Sequence, residues 1–435
     1  MFATSPSARR SALLSPLVAV WLAGATLATA TLPAAAQTPP APAASVPAGP
    51  SVRPEVGNPL NAAQALIRAS NGKEALAKIA EAEAQPNLTS YEQHSINHTK
   101  AVAALAAGDP ALSLAQFEKV LASGFLPEKD KLSVTETTAR LAIQTKAYPK
   151  ALALLKSYRQ LGGNDEQLLR VQAQLLAETG DFPAAIAEAK ALVQADLAAN
   201  RKPNEQVLRV LGFSQQKSAD MAGYVQTLEL LVQHYPTPEY WGDLISRTVR
   251  KPGFADDRLR IDVYRLQRAL GIALEADELA DMAQRALTSG LPAEAQKLLE
   301  EGYAAGLLGK GPDAGAHAKL RDQANKAAAA DQKQFAEAEA SGQKAKDGTA
   351  LVNLGLAVAG TGAFPRAATL MEQGIAKGGL RRPDEAALRL GYVQWRAGRI
   401  DDALKTLANV QGNDGSADLA RLWTYHLKQQ GAKKG

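Results

Sequence analysis

The sequence lacks cysteine altogether, and aromatic side chains make up only 5% of its 435 residues. Without cysteine the chain has no disulfide and no thiol to carry a lipid, so packing alone must hold the fold together. Scarce aromatic and abundant alanine residues favour closely packed helices over a sheet sandwich. No segment shows a sustained alternation of apolar and polar residues. These absences predict an all-α protein.

The sequence also lacks a large excess of charge. Its formal net charge is +5, and Arg9 and Arg10 contribute to that excess. A nucleic-acid-binding protein would concentrate basic residues on one face, with aromatic side chains among them. No segment has that pattern, so we expect no nucleic-acid partner.

Catalytic motifs are missing too. His94 and His98 have the spacing that places two imidazoles on one helix face, but Ser95 stands where a metalloprotease needs glutamate. Segment 304–311 lacks the first glycine and the hydroxyl of a phosphate-binding loop, and we interpret it as a turn between helices. The chain contains no Gly-x-Ser-x-Gly motif. We therefore predict no enzyme activity, no cofactor and no metal site.

A short phrase recurs along the chain. Segments 146–151, 180–185 and 362–367 share a turn residue, an aromatic, a proline and an alanine, and looser copies begin at residues 108, 290 and 398. The turn residue ends one helix in a left-handed conformation. The proline suits the first turn of the next helix, where its missing N–H costs nothing. The copies recur at intervals near 34 residues, which predicts stacked helical hairpins.

The flanking residues add a family resemblance. A Leu-Gly pair precedes the turns at 211–212, 354–355 and 390–391, large apolar residues follow the turns, and Pro236 closes one unit. This pattern resembles the tetratricopeptide repeat (TPR). The resemblance covers most of 58–412. It implies a right-handed α-solenoid of about ten helix-turn-helix repeats with a C-terminal capping helix.

Two units depart from the repeat pattern. In unit 238–270 the turn reads Arg-Lys-Pro-Gly-Phe, and Asp257 replaces the expected alanine. Unit 312–346 has no turn signal and is rich in alanine, so we expect one long or broken helix there.

The N-terminus predicts export. Arg9 and Arg10 precede an apolar run over 13–32, and three alanines at 34–36 form a small-residue cleavage site. We divide the chain into a signal peptide (1–36), a Pro/Ala-rich linker (37–57) and the solenoid (58–430). Two export routes stay open, since twin arginines suit export of a folded chain but their flanks favour the unfolded route. We expect a periplasmic protein with no transmembrane segment in the mature chain.

The resemblance also indicates where binding residues lie, because in this family the first helix of each hairpin lines the concave face. Three arginines of successive units fall there, and we call Arg140, Arg170 and Arg209 the arginine row. A row of guanidinium groups is suited to bind carboxylates. The alternative is that each arginine pairs with a neighbouring glutamate, at positions 136, 166 and 205.

Aromatic and apolar residues near the C-terminus form a second candidate surface on the same face, made by Leu356, Tyr392 and Trp395. Tyrosine and tryptophan dominate binding hot spots. The alternative is that Trp395 packs against the last helix, 416–429, as a cap. We expect Trp241 in the core and Trp423 in the capping helix.

The function predicted from these features is a non-catalytic scaffold. It would bind a peptide or subunit of a cell-envelope complex, and similar exported repeat proteins accompany TonB-type transport systems. The alternative is a glycan- or peptidoglycan-binding accessory of cell-wall or exopolysaccharide machinery, because helical superhelices also form the non-catalytic arm of lytic transglycosylases.

Overall fold

The computed structural model describes residues 50–432, and from Val52 onward these form one compact unit. All regular structure in this part of the chain is helical. The helices are α1 (Pro54–Arg68), α2 (Gly72–Glu83), α3 (Ser90–Ala106), α4 (Pro110–Ala122), α5 (Glu128–Gln144), α6 (Tyr148–Gln160), α7 (Glu166–Glu178), α8 (Phe182–Ala198), α9 (Glu205–Lys217), α10 (Met221–His234), α11 (Pro238–Val249), α12 (Asp256–Ala269), α13 (Ala276–Thr288), α14 (Pro292–Ala304), α15 (Ala314–Lys344), α16 (Thr349–Thr361), α17 (Phe364–Lys377), α18 (Pro383–Arg396), α19 (Ile400–Ala408) and α20 (Ser416–Ala432). The predicted all-α solenoid is confirmed.

Most of these helices pair as hairpins, from α1/α2 to α13/α14 and again as α16/α17 and α18/α19. The first helix begins at Pro54, four residues before the predicted solenoid boundary, because the proline occupies the first turn. The predicted signal peptide and nearly all of the linker lie outside the described residues. Among residues 50–432 no helix is long and apolar enough to cross a membrane.

The recurring phrase adopts the predicted conformation. Each of its six turn residues has a positive φ, from 58° at Lys146 to 95° at Gly362. The alanines that end the phrase at 151, 185, 295, 367 and 403 are fully buried. The glycine of the Leu-Gly pair lets the two helices of a hairpin pack closely. A Cβ on Gly355 of α16 would lie only 2.9 Å from the carbonyl oxygen of Ala367 in α17. The phrase therefore sets both the turn and the spacing between helices.

The two departing units have different structures. Unit 312–346 contains one unbroken helix, α15, of 31 residues. Unit 238–270 keeps a hairpin, α11/α12, but its unusual turn contacts the distant C-terminus. The Ala255 amide donates to the Asp414 carbonyl at 2.8 Å, Lys251 pairs with Asp418 at 2.9 Å, and the Phe254 ring lies against Gly415.

These contacts close the second half of the solenoid on itself. Helix α20 packs not only on α18 and α19 but also on α10 and α12, so the helices α10–α20 form a closed ring. A shared apolar core joins its two ends, with Leu244 and Leu259 on one side and Leu419 and Trp423 on the other. The capping helix is therefore also the element that closes the ring.

Alternating charges reinforce this closure between α12 and α18. We call this series the charge ladder; its members, in order of contact, are Glu294, Arg265, Asp262, Arg389, Glu385, Arg258 and Asp414. Asp262 is 2% exposed and accepts from Arg265 at 2.7 Å and from Arg389 at 3.1 Å. Glu385 in turn bridges Arg389, at 2.7 Å, and Arg258.

We predict that replacing Asp262 by asparagine destabilises the ring. Buried Arg265 and partly buried Arg389 would lose their common carboxylate, and breaking a buried pair on one side costs about 3–5 kcal/mol. Urea denaturation of the purified protein measures this. As a control, Glu166→Gln removes an exposed pair with Arg170 and should cost less than about 1 kcal/mol. Equal, small effects would show that the ladder contributes nothing to ring stability.

A second prediction concerns the close approach of α16 and α17. In Gly355→Ala the new Cβ would lie 2.5 Å from the Met371 Cγ and should destabilise the protein by about 1–3 kcal/mol. The matched control is Gly242→Ala in α11, where a Cβ meets nothing within 4 Å. That change should stabilise by about 0.5–1 kcal/mol, because alanine is the better helix former. In thermal denaturation we expect Gly355→Ala to lower the Tm and Gly242→Ala to raise it.

Candidate functional site

The ring contains a partly open cavity of about 270 Å³, which we call the ring pocket. Side chains from α12, α13, α14, α16, α17 and α18 line it. Helices α14 and α16 come close enough to form its wall because Gly360 has no side chain; a Cβ there would lie 2.8 Å from the Glu294 amide nitrogen. The pocket therefore depends on ring closure and on a glycine at one helix contact.

The floor of the ring pocket is a buried ion pair. Arg265 is 4% exposed and donates to the Glu294 carboxylate through Nε at 2.9 Å and Nη2 at 2.5 Å. Burial alone would lower the pKa of Arg265, but the charges of Glu294 and Asp262 outweigh burial and raise the pKa. The guanidinium carbon also lies 5.2 Å from the ring centroid of Tyr392. Arg265 is therefore paired with groups of the protein itself and is not a free cation for a ligand.

The walls are mainly apolar and aromatic. They are formed by Met282, Leu298, Leu356, Phe364, Tyr392 and Trp395. Burial raises the pKa of the Tyr392 phenol above its usual value, although the nearby cations Arg265 and Arg396 oppose that shift. Tyr392 therefore stays neutral at ordinary pH.

The mouth of the ring pocket carries uncompensated positive charge. Arg268 is paired with Glu301 at 2.5 Å. Arg396 stacks on Phe364, with its guanidinium carbon 4.3 Å from the ring centroid, and donates to the neutral Tyr392 hydroxyl at 3.2 Å. Exposed Lys297 has no hydrogen-bond or ion-pair partner among residues 50–432. Both acids of the pocket already have arginine partners, so two cations remain to attract an anion.

The structure brings together three residues of the sequence-based site. Leu356, Tyr392 and Trp395 line the ring pocket. The alternative proposed for Trp395 also holds, because its ring packs 5.2 Å from that of Trp423 and its Nε1 donates to Gln430 in α20 at 2.9 Å. Trp395 therefore joins the pocket wall to the capping helix. As predicted, Trp241 is in the core and Trp423 is buried in α20.

The arginine row lies apart from the pocket, on α5, α7 and α9. Arg140 pairs with Glu136 at 2.8 Å and with Asp165, the N-cap of α7, at 3.1 Å. Arg170 pairs with Glu166 at 2.8 Å. Two of the three arginines therefore have the local partners of the alternative interpretation.

Arg209 differs from the other two arginines. It is exposed and has no carboxylate partner in the described part of the chain. Its predicted partner Glu205 instead accepts from the Tyr240 hydroxyl at 2.9 Å. The row therefore presents one unpaired cation, and its role in binding stays a prediction.

The remaining sequence motifs have local contacts. His94 bonds to Ser123 at 2.7 Å, and His98 packs edge-on against Phe117. No group of three metal-ligating side chains occurs within 50–432. Segment 304–311 spans the end of α14 and the turn before α15, as expected.

Sequence reasoning missed the charged residues of the ring pocket. Arg265 and Arg268 belong to the unit that departs from the repeat pattern, and Lys297 and Arg396 look like ordinary surface residues. The available signal was α12 itself, whose sequence DDRLRIDVYRLQRA has four arginines and three aspartates in 14 residues. So many charges in a helix of a packed repeat indicate a polar interface with another part of the chain.

Comparisons with known proteins place repeats in both halves of the chain. The tetratricopeptide repeat family model matches residues 98–166 and 352–418. No curated protein matches the chain. Similar solved structures include Naa15/Naa10 bound to HypK-THB (13% identity, 87% of this chain, 62% of that chain, TM-score 0.28). The pentatricopeptide repeat protein PPR10 from maize is similar at 13% identity (85% and 62%, TM-score 0.29), as is yeast Tom70 at 11% (87% and 96%, TM-score 0.24).

The chain thus spans 62% of the length of the first two of these proteins. At these TM-scores the overlays carry no argument, and the fold assignment rests on the helices of this chain and on the family model. The second matched segment contains most of α16 and all of α17–α19, and it supplies Leu356, Phe364, Tyr392, Trp395 and Arg396 to the ring pocket. The chain therefore contains tetratricopeptide repeats, and one matched segment builds much of the candidate site.

Proposed function

We propose that this protein is an exported, non-catalytic scaffold of the cell envelope that holds a segment of a partner protein at the ring pocket. Tetratricopeptide repeats generally serve as protein-interaction scaffolds, and the chain contains them. The cell-envelope assignment rests on the N-terminal sequence, whose basic start, apolar run and alanine-rich cleavage site are typical of an exported precursor. A complex of TonB-type transport is one setting for such a scaffold.

One observation carries the choice of site: the ring pocket combines an aromatic wall with unpaired cations. Lys297 and Arg396 attract an acidic segment, and Phe364 and Trp395 offer the kind of surface on which binding energy concentrates. The arginine row is a weaker candidate because Arg140 and Arg170 already have carboxylate partners. The partner segment is therefore expected to be acidic and to carry an apolar anchor.

We predict that a photo-crosslinking residue at Ala269, in the pocket lining, captures one defined envelope protein in living cells. The same residue at exposed Lys405, on α19, serves as the matched control and should capture none. The pocket variant Lys297→Glu with Arg396→Glu reverses two charges and should abolish the adduct. Mass spectrometry identifies the partner, and a reciprocal crosslinker in that partner should recover this protein.

Two other outcomes would overturn the assignment. If Arg170→Glu with Arg209→Glu abolishes the adduct while the pocket variant keeps it, the partner binds the arginine row. Retention of the purified protein on peptidoglycan or an envelope polysaccharide, unaffected by either variant and without any protein adduct, would instead support the glycan-binding accessory.

Export has its own test. We predict that the protein is recovered from the periplasmic fraction with Gln37 as its first residue, because the alanines at 34–36 form the cleavage site. N-terminal sequencing measures this. Replacing Ala34 and Ala36 by arginine should leave the precursor uncleaved. Recovery of an uncleaved wild-type chain in the cytoplasm would contradict the proposed compartment.

A further inference from the structure

The two unpaired cations of the ring pocket both lie beside the turn between α16 and α17. The guanidinium of Arg396 stacks on Phe364, the first residue of α17. The ammonium nitrogen of Lys297 lies 3.4 Å from where a Cβ on Gly362 would be, two residues earlier. The two charges therefore border the same edge of the pocket, although they come from α14 and α18.

The acids nearest to Lys297 do not neutralise it. Glu294 and Glu301 lie three and four residues away on the same helix, the usual spacing for an ion pair. Each is instead held by an arginine of α12, Glu294 by Arg265 and Glu301 by Arg268. Because α12, in the preceding unit, pairs with both carboxylates, Lys297 is left free for a ligand.

The interior of the pocket is suited to an apolar group. Its floor is the neutral pair of Arg265 and Glu294, and its walls carry Leu298, Leu356 and Trp395. The cavity volume of about 270 Å³ is just below the range of ordinary ligand sites, about 300 to 1,000 Å³. A ligand with one ring or short aliphatic body fills such a space.

We infer that the ring pocket binds a small organic carboxylate: the carboxylate sits between Lys297 and Arg396, and its apolar body enters the cavity. A free metabolite and the terminal residue of a peptide both offer this chemistry. The inference goes beyond the proposed scaffold function, because such a ligand needs no partner protein to bind.

Calorimetry and tryptophan fluorescence test the inference on the purified protein, since Trp395 lines the pocket. The probes are phenylacetate and its neutral analogue phenylacetamide. Phenylacetate should bind saturably and change the fluorescence, and phenylacetamide should bind at least about tenfold more weakly, because it lacks the charge that the two cations recognise. A peptide ending in phenylalanine, compared with its C-terminal amide, shows whether a peptide-borne carboxylate binds more tightly than the free one.

Single variants locate the site. Lys297→Gln and Arg396→Gln should each weaken phenylacetate binding about tenfold. Lys297 has no partner to lose, so its variant should fold normally, and Lys405→Gln on α19 is a matched control that should bind like wild type. No binding, equal binding of acid and amide, or an equal loss in the Lys405 variant would overturn the inference. If the crosslink from Ala269 persists in that case, the scaffold function stands without a carboxylate ligand.

Discussion

The second half of the molecule depends on the ion pairs that the buried carboxylate of Asp262 makes with two arginines. It is held between Arg265 of its own helix and Arg389 of α18, which is 127 residues away in sequence. Because Arg265 also engages Glu294 of α14, one acid fixes the relative positions of α12, α14 and α18. These three helices carry the floor and the charged mouth of the ring pocket.

Closure changes what the repeat architecture offers. An open solenoid stacks each unit on its neighbours and presents an extended concave surface. Here α20 returns to α10 and α12, and helices α12 to α18 of the same ring line a partly open pocket. Ring closure also explains the irregular unit 238–270. In regular units the aromatic residue of the turn contacts the next unit, as Phe182 contacts Phe213 and Phe364 contacts Arg396. In the irregular unit Phe254 instead contacts Gly415 near the C-terminus.

Sequence reasoning succeeded where the cause is local. A left-handed turn residue, a proline in the first helical turn and a buried alanine act within a few residues, so six copies predicted the hairpins and located both irregular units. Closure could not be predicted in this way, because Arg389 and Asp262 lie 127 residues apart and no local pattern links them. The residues Leu356, Tyr392 and Trp395 were identified from the concave face, but nothing local indicated that the ring would enclose them with Arg265 and Lys297.

The two candidate surfaces show why pairing, rather than the number of basic residues, indicates an anion site. The arginine row has three guanidinium groups, yet Arg140 and Arg170 are matched by acids on the same helix or the next. The ring pocket contains two acids, Glu294 and Glu301, and both are paired with arginines of α12. Lys297 and Arg396 are therefore left without carboxylates beside an apolar cavity. Since a ligand that meets an unpaired cation need not displace an internal acid, the ring pocket is the better site for an anion.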